Sequence, residues 1–352
     1  LGCRHDLTIH DYYLINGNPT LTDEDASYVP ESAHDFDERC AEHYPLPEGV
    51  TAESWRDNQR LLVEGARRVI FPSHDVAARF RRFFQIEEAV VAWHPDYELS
   101  KPYPQPLWSY TKERPLKVLV LGAISREKGA DVLESVAEAM DAAAVEFHLL
   151  GYAYRGLSEE VITHGPYAQE DVYELVSNLA PDVVWYPALW PETYSYTLSV
   201  ALHLGLPVVV PDIGAFVERV AQRPLSVVQP WNSSISDWRV FWSHIISEGH
   251  LPVTQPLALD PTESARKDFY IADYLQPVQA KQGALTARAL ASLSGNYHVG
   301  VPQLTGSEKF LGRIWRISRR PVVAKVVSLV PFRMQQAIKR RLSRRPMHDI
   351  VR

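Results

Sequence analysis

From residue 116 onward the apolar positions alternate between two patterns. Short apolar runs occur at 116–121, 145–150, 161–164, 183–186, 206–210 and 225–228. Runs of this length bounded by turn residues fit strands buried in a parallel sheet. Between them lie stretches with helical spacing at 130–140, 170–179, 192–204, 215–220 and 231–248. In 170–179, Val172, Leu175 and Leu179 share one face; in 192–204, Leu198, Ala201 and Leu202 do, with Gly205 placed to end the helix. Alternating strands and helices predict a doubly wound α/β domain. A weaker version of the pattern precedes it. Strands are predicted at 7–9, 69–71 and 89–93, with helices at 52–67 (Trp55, Leu62 and Ala66 near one face) and from an N-cap at Ser73 through Phe84. Residues 16–50 read as a long loop, and 97–115, with four prolines among aromatics, as a linker.

Candidate chemistry falls where strands meet helices. In open parallel sheets, ligands bind beyond the carboxyl ends of the strands. Glu192 lies at that edge, at the predicted start of the 192–204 helix, whose first amides favour an anion. A carboxylate beside an anion site suits a nucleotide sugar, which carries both hydroxyls and phosphates. Thr193, Tyr194, Ser195, Tyr196 and Thr197 make this helix start hydroxyl-rich, and such groups bond phosphate oxygens. The turn from Gly122 to Gly129 lacks Gly-x-Gly-x-x-Gly, which argues against a dinucleotide-dependent dehydrogenase, and its spacing is not that of a Walker loop. Arg126 and Lys128 precede a predicted helix, where positive charge opposes the dipole unless an anion is bound. The bland alternative is a solvated helix start.

The run from Pro191 to Val209 resembles the signature of family-4 glycosyltransferases, the retaining enzymes of the GT-B fold. Their pattern is a Glu, seven residues, a second Glu, then Ala and a Gly-x-Pro strand. Glu192, Ala201, Gly205 and Pro207 match; Val200 stands at the second Glu and cannot accept the ribose hydrogen bonds that this Glu commonly makes. The Gly122–Gly129 turn resembles the family's Gly-loop. Lys128 matches its diphosphate-contacting Lys, while Ala123 replaces a common Arg whose charge Arg126 could supply. His10-Asp11-Tyr12 resembles a cleft-facing segment of the acceptor-side domain, which makes His10 either a cleft residue or a structural histidine at a strand end. Residues 72–95 resemble the last β-α-β of that domain, with His94 and Asp96 in the linker, and 264–275 resembles the closing helix.

The resemblance covers about residues 5–275 and is strongest over 118–220. It implies an α/β GT-B fold of two Rossmann-like domains with parallel sheets, and a basic helical C-terminal tail. The expected divisions are 1–110, 111–255, 256–306 and 307–352. Only nine residues precede His10, so the first domain is expected to be incomplete. The implied reaction moves a sugar from a nucleotide-diphosphate sugar to a glycan or lipid-linked glycan with retention, as in bacterial lipopolysaccharide or O-antigen synthesis. No metal and no cofactor are expected. Glu192 and His10 are the implied catalytic-site residues. Gly122, Arg126, Lys128 and residues 193–197 would meet the donor phosphates. Tyr167 would stack on the base, or simply pack on the surface. Glu218 would replace the missing ribose ligand, or pair with Arg219 at the surface. A non-catalytic glycosyltransferase-like module and a GT-B sugar-nucleotide epimerase are the rival readings.

Composition adds location and partners. The chain has 352 residues, 46% hydrophobic and 22% charged, as in a globular protein. No apolar run reaches the 18 residues of a membrane span, and 322–330 is short and contains Lys325. Residues 308–352 hold 13 basic residues against two acids, so this tail carries +11 of a net −7 and the remainder −18. Such a basic amphipathic tail suits an anionic membrane surface; a docking helix and a nucleic-acid arm are alternatives, and no nucleic acid is expected. Leu1 opens the chain, no signal peptide follows, and a fragment or processed product is expected. Two cysteines, Cys3 and Cys40, fit a reducing compartment. The spacing of His34, Cys40 and His43 matches no zinc pattern. A cytoplasmic protein, peripheral on the inner membrane face, is the expectation.

Overall fold

The computed structural model describes residues 5–95, 103–252, 265–274, 305–318 and 341–343. The chain forms two compact units, Leu1–Gln276 and Pro277–Arg352. The first unit contains two parallel sheets. The smaller pairs β1 (Asp6–Thr8), β2 (Arg68–Phe71) and β3 (Ala89–Val91) in that order, with Leu7 opposite Val69 and Val69 opposite Ala89. Around it lie α1 (Tyr13–Asn16), α2 (Phe36–His43), α3 (Ala52–Val63) and α4 (His74–Phe80).

The larger sheet has β4 (Leu116–Ile124), β5 (Val145–Ala153), β6 (Val161–Gly165), β7 (Val183–Trp185), β8 (Val208–Pro211) and β9 (Ser226–Gln229). Its order is β6-β5-β4-β7-β8-β9, all parallel. The chain builds outward from β4 in one direction and then, from β7, in the other. The switch point, where such folds place ligands, therefore lies between β4 and β7. The intervening helices are α5 (Ala130–Ala139), α6 (Val172–Leu179), α7 (Tyr196–His203), α8 (Ala215–Val220) and α9 (Ile235–Glu248).

The apolar runs serve two cores, because successive strand residues face opposite sides. Val118 and Val120 join Phe147, Trp185, Leu133, Trp238 and Trp242 on one face. Leu119 and Leu121 join Val184, Val176, Leu198 and Phe216 on the other. The two-sheet parallel α/β architecture expected from the sequence is the one observed. Ser73 caps α4 by accepting the Val76 amide at 3.2 Å, and Gly205 is left-handed (φ +64°) just past α7.

Four local expectations are corrected. The helix expected from Glu192 begins at Tyr196, because long-range bonds hold residues 192–195 as a loop. Residues 16–50 are not a continuous loop: α2 buries Phe36 and Cys40, one turn apart, in the first core. Helix α3 buries Ala52 and Val63 and leaves Leu62 40% exposed, so its inner face is not the one expected. In the region of the expected closing helix, the described residues form only a five-residue π-type turn, Tyr270–Tyr274, beside a bridge from Ala92 to Arg266. Strands β4 and β5 also run three residues beyond expectation. Gly122 and Gly151 pair across them, and a Cβ on Gly151 would lie 2.0 Å from the Gly122 carbonyl oxygen.

In the second unit, α10 (Gly306–Ser318) starts at a reciprocal cap: Thr305 N donates to Glu308 Oε2 and Glu308 N to Thr305 Oγ1. No helix among the described residues is long and apolar enough to cross a membrane. Cys3, Asp96, Lys325 and the 322–330 run lie outside the described residues.

Candidate active site at the sheet switch point

Four of the expected site residues converge at the carboxyl end of β4 and β7. Lys128, Glu192 and Thr197 line one crevice together with Ile124, Tyr186, Pro187, Ala188 and Phe216. Lys128 Nζ lies 3.3 Å from Glu192 Oε1; the lysine side chain is 39% exposed and the glutamate 9%. Gly122 backs the crevice at φ +110°, and a Cβ there would press Thr197 Cγ2 at 3.0 Å. Gly129 is left-handed, and a Cβ there would meet the Pro187 carbonyl oxygen at 2.0 Å. The Gly-loop thus lies directly against the segment that carries Glu192. A carboxylate and a lysine at the mouth of a parallel sheet can accept sugar hydroxyls and bind an anion.

Thr193 and Tyr194 have other partners. Thr193 Oγ1 donates to the His10 carbonyl at 2.7 Å, tying the signature loop to the end of β1. Tyr194 is 2% exposed, with the Arg219 guanidinium 4.0 Å from its ring centroid. Ser195, the N-cap of α7, has φ +66°. Tyr196 is half exposed and belongs to a ladder of rings: His10 stacks on His94 at 4.9 Å, and His94 on Tyr196 at 6.0 Å. Burial, with His10 and Arg219 nearby, pushes the His94 imidazole down to about 4, so it is neutral at physiological pH. His10 itself is exposed.

Arg126 is engaged away from Lys128: Nη1 donates to the Glu24 carbonyl at 2.8 Å, and Nε lies 3.4 Å from Asp131. Tyr167 packs against the apolar cluster that contains Val172 and Val200. Val200 is 9% exposed in that cluster and presents no polar atom. Glu218 accepts the His74 amide at 2.9 Å, joining α8 to the start of α4. Arg219 does not form the surface pair expected with it; it is 4% exposed and bonds the Tyr194 and Ser195 carbonyls.

Sequence reading missed a further junction. Glu127, 8% exposed, receives His43 Nε2 at 3.3 Å and Tyr44 Oη at 3.5 Å, while its carbonyl accepts the Leu189 amide. His43 Nδ1 lies 2.9 Å from Thr22 Oγ1, and burial lowers the imidazole pKa against the pull of Glu127. The only signal was the position of Glu127 beside Lys128. Cys40 is a buried free thiol, raised to about 12 by burial, and no group of three metal-ligating side chains gathers among the described residues.

No protein-family model matches the chain, and no curated protein matches it. Solved structures that it resembles include TarM, at 15% identity and TM-score 0.43, over 58% of this chain and 41% of that one. HepE of Anabaena, solved with UDP, is 18% identical at TM-score 0.44, over 70% and 63%. The lipopolysaccharide outer core galactosyltransferase WaaB, in its apo form, is 16% identical at TM-score 0.41, over 56% of each. The chain spans 41% to 63% of the length of these structures.

Burial raises the Glu218 carboxyl from its ordinary 4.5 to about 7, with the His74 amide opposing. Between those values the folded chain holds a proton that the unfolded chain has lost, so this group's contribution to stability is complete below about 4.5 and lost by about 7. The wild type should therefore lose more stability to urea than Glu218→Gln as pH rises from about 5 to about 7. Parallel stability curves would remove this assignment.

Proposed function

We propose that this chain belongs to a retaining GT-B glycosyltransferase of the family-4 type, a metal-independent hexosyltransferase. It moves a sugar from a nucleotide-diphosphate sugar to a hydroxyl of a glycan or lipid-linked glycan in bacterial surface-polysaccharide synthesis. The observation that carries this reading is the Lys128–Glu192 pair, 3.3 Å apart at the sheet switch point beside the start of α7. Departure of the nucleoside diphosphate builds negative charge, and preorganised positive groups lower the barrier to that step. Lys128 supplies one such charge, and the start of α7 supplies a dipole. Glu192 accepts donor-sugar hydroxyls, and His10, on the other side of the cleft, faces the acceptor. Arg126 reaches the diphosphate on leaving the Glu24 carbonyl, and Tyr167 borders the base. Val200 favours the second reading, a non-catalytic binding module, since it offers the ribose no acceptor.

The test is calorimetric titration with UDP, GDP, ADP and dTDP. One of them should bind, and Lys128→Ala should weaken it about tenfold or more, the scale of a lost charge-assisted bond. Absence of binding at millimolar concentration would favour the binding module.

The tail gives this enzyme its place. Helix α10 exposes Phe310 (56%), Ile314 (43%) and Ile317 (50%) at helical spacing, beside exposed Lys309 and Arg313, in a segment of charge +11. An exposed apolar stripe bordered by basic residues fits the surface of an anionic bilayer. The protein should sediment with phosphatidylglycerol vesicles and not with phosphatidylcholine, and Phe310→Asp with Ile314→Asp should abolish this. Equal sedimentation with both lipids, or no effect of the substitutions, would contradict it.

A further inference from the structure

The loop that presents Glu192 has no regular structure of its own, so something outside it must fix its shape. Helix α8 does so from two points. The Ala215 amide donates to the Glu192 carbonyl at 2.8 Å. One turn on, Arg219 Nη1 donates to the Tyr194 carbonyl at 2.8 Å and to the Ser195 carbonyl at 2.7 Å, while Nη2 donates to Ser199 Oγ at 2.7 Å inside α7. The guanidinium lies over the faces of Tyr194 and Trp93, with centroids at 4.0 and 5.0 Å. A planar fork with several fixed donors suits this task, because it bonds adjacent carbonyls and lies flat on a ring at once; an ammonium does neither as well.

What the fork holds is strained. Ser195 has φ +66° and ψ +87°, a region that a residue with a Cβ occupies only when its surroundings enforce it. Its carbonyl is one of the two that Arg219 grips. The twist at Ser195 lets the chain turn from the irregular Glu192 loop into α7, and so sets where the first α7 amides point. The structure assigns Arg219 as the positioning residue of the donor loop. It holds Ser195 left-handed, and thereby sets both the α7 amides and the Glu192–Lys128 pair in the crevice. The role in donor binding rests on the glycosyltransferase reading above; the role in holding the loop does not.

Three variants test it: Arg219→Lys, Ser195→Gly and the two combined. Glycine reaches φ +66° without strain, so it lessens the need for the clamp. In calorimetry, Arg219→Lys should weaken nucleoside-diphosphate binding about tenfold. Ser195→Gly removes a hydroxyl placed at the donor phosphates and so serves as a second background: there Arg219→Lys should cost less than about threefold, a coupling that independent sites do not show. Unchanged affinity in Arg219→Lys, or an equal loss in the wild-type and Ser195→Gly backgrounds, overturns the assignment. A second readout needs no nucleotide. Exchange of the Ala215 amide, measured by NMR against strand β8 as internal reference, should rise about tenfold in Arg219→Lys and fall back in the combined variant. If the wild type binds no nucleotide, the donor-site reading fails while this exchange still decides the role of Arg219; an unmoved Ala215 amide overturns it.

Discussion

Buried carbonyls must find donors, and between β7 and α7 three of them find theirs on one neighbouring helix. Glu192, Tyr194 and Ser195 direct their carbonyls at Ala215 N and Arg219. This keeps residues 192–195 out of the helix that their sequence suggests, and brings a 7%-exposed Glu192 against Lys128. Gly214 makes the approach feasible, since a Cβ there would lie 2.6 Å from the Glu192 carbonyl oxygen. Without that close contact the crevice would have a different floor and the α7 amides a different aim.

The same segment joins the two sheets of the first unit. Thr193 donates to the His10 carbonyl, Tyr28 N to the Leu189 carbonyl, and Trp190 packs against the apolar clusters of both sheets. On either side of it, Glu127 takes His43 and Tyr44, and Glu218 takes the His74 amide. Glu127 of the Gly-loop and Glu218 of α8 are therefore both occupied by polar groups from the smaller sheet's side. His10 and the Gly-loop are thereby held in one frame, as the proposed transfer between two substrates requires.

Much of this was legible because parallel strands are buried on both faces and so read as apolar runs. Val183–Trp185 and Val208–Pro211 lie where their runs place them. Lys128 and Glu192, 64 residues apart, are assigned to one site by the resemblance to family-4 glycosyltransferases, and the structure places them in contact. The sequence places the helix start too early because the hydroxyl-rich run 193–197 suits the first turn of a helix, whereas Thr193 bonds a residue 183 positions away. Arg219 was misread as a surface partner of Glu218 for a similar reason. Its partners are 24 and 25 residues distant, and the rings that bury it, Trp93 and Tyr194, come from separate parts of the chain. Helix α2 escaped notice because only Phe36 and Cys40 carry its apolar face.

The most direct test of the donor site is an amide chemical-shift map of the ligand-free protein titrated in turn with the four nucleoside diphosphates. The account predicts shifts concentrated at Gly122–Gly129 and Ser195–Thr197, with the edge strand β6 and the small sheet little affected. Shifts confined to other surfaces, or none at millimolar ligand, would contradict the placement of the diphosphate at the switch point.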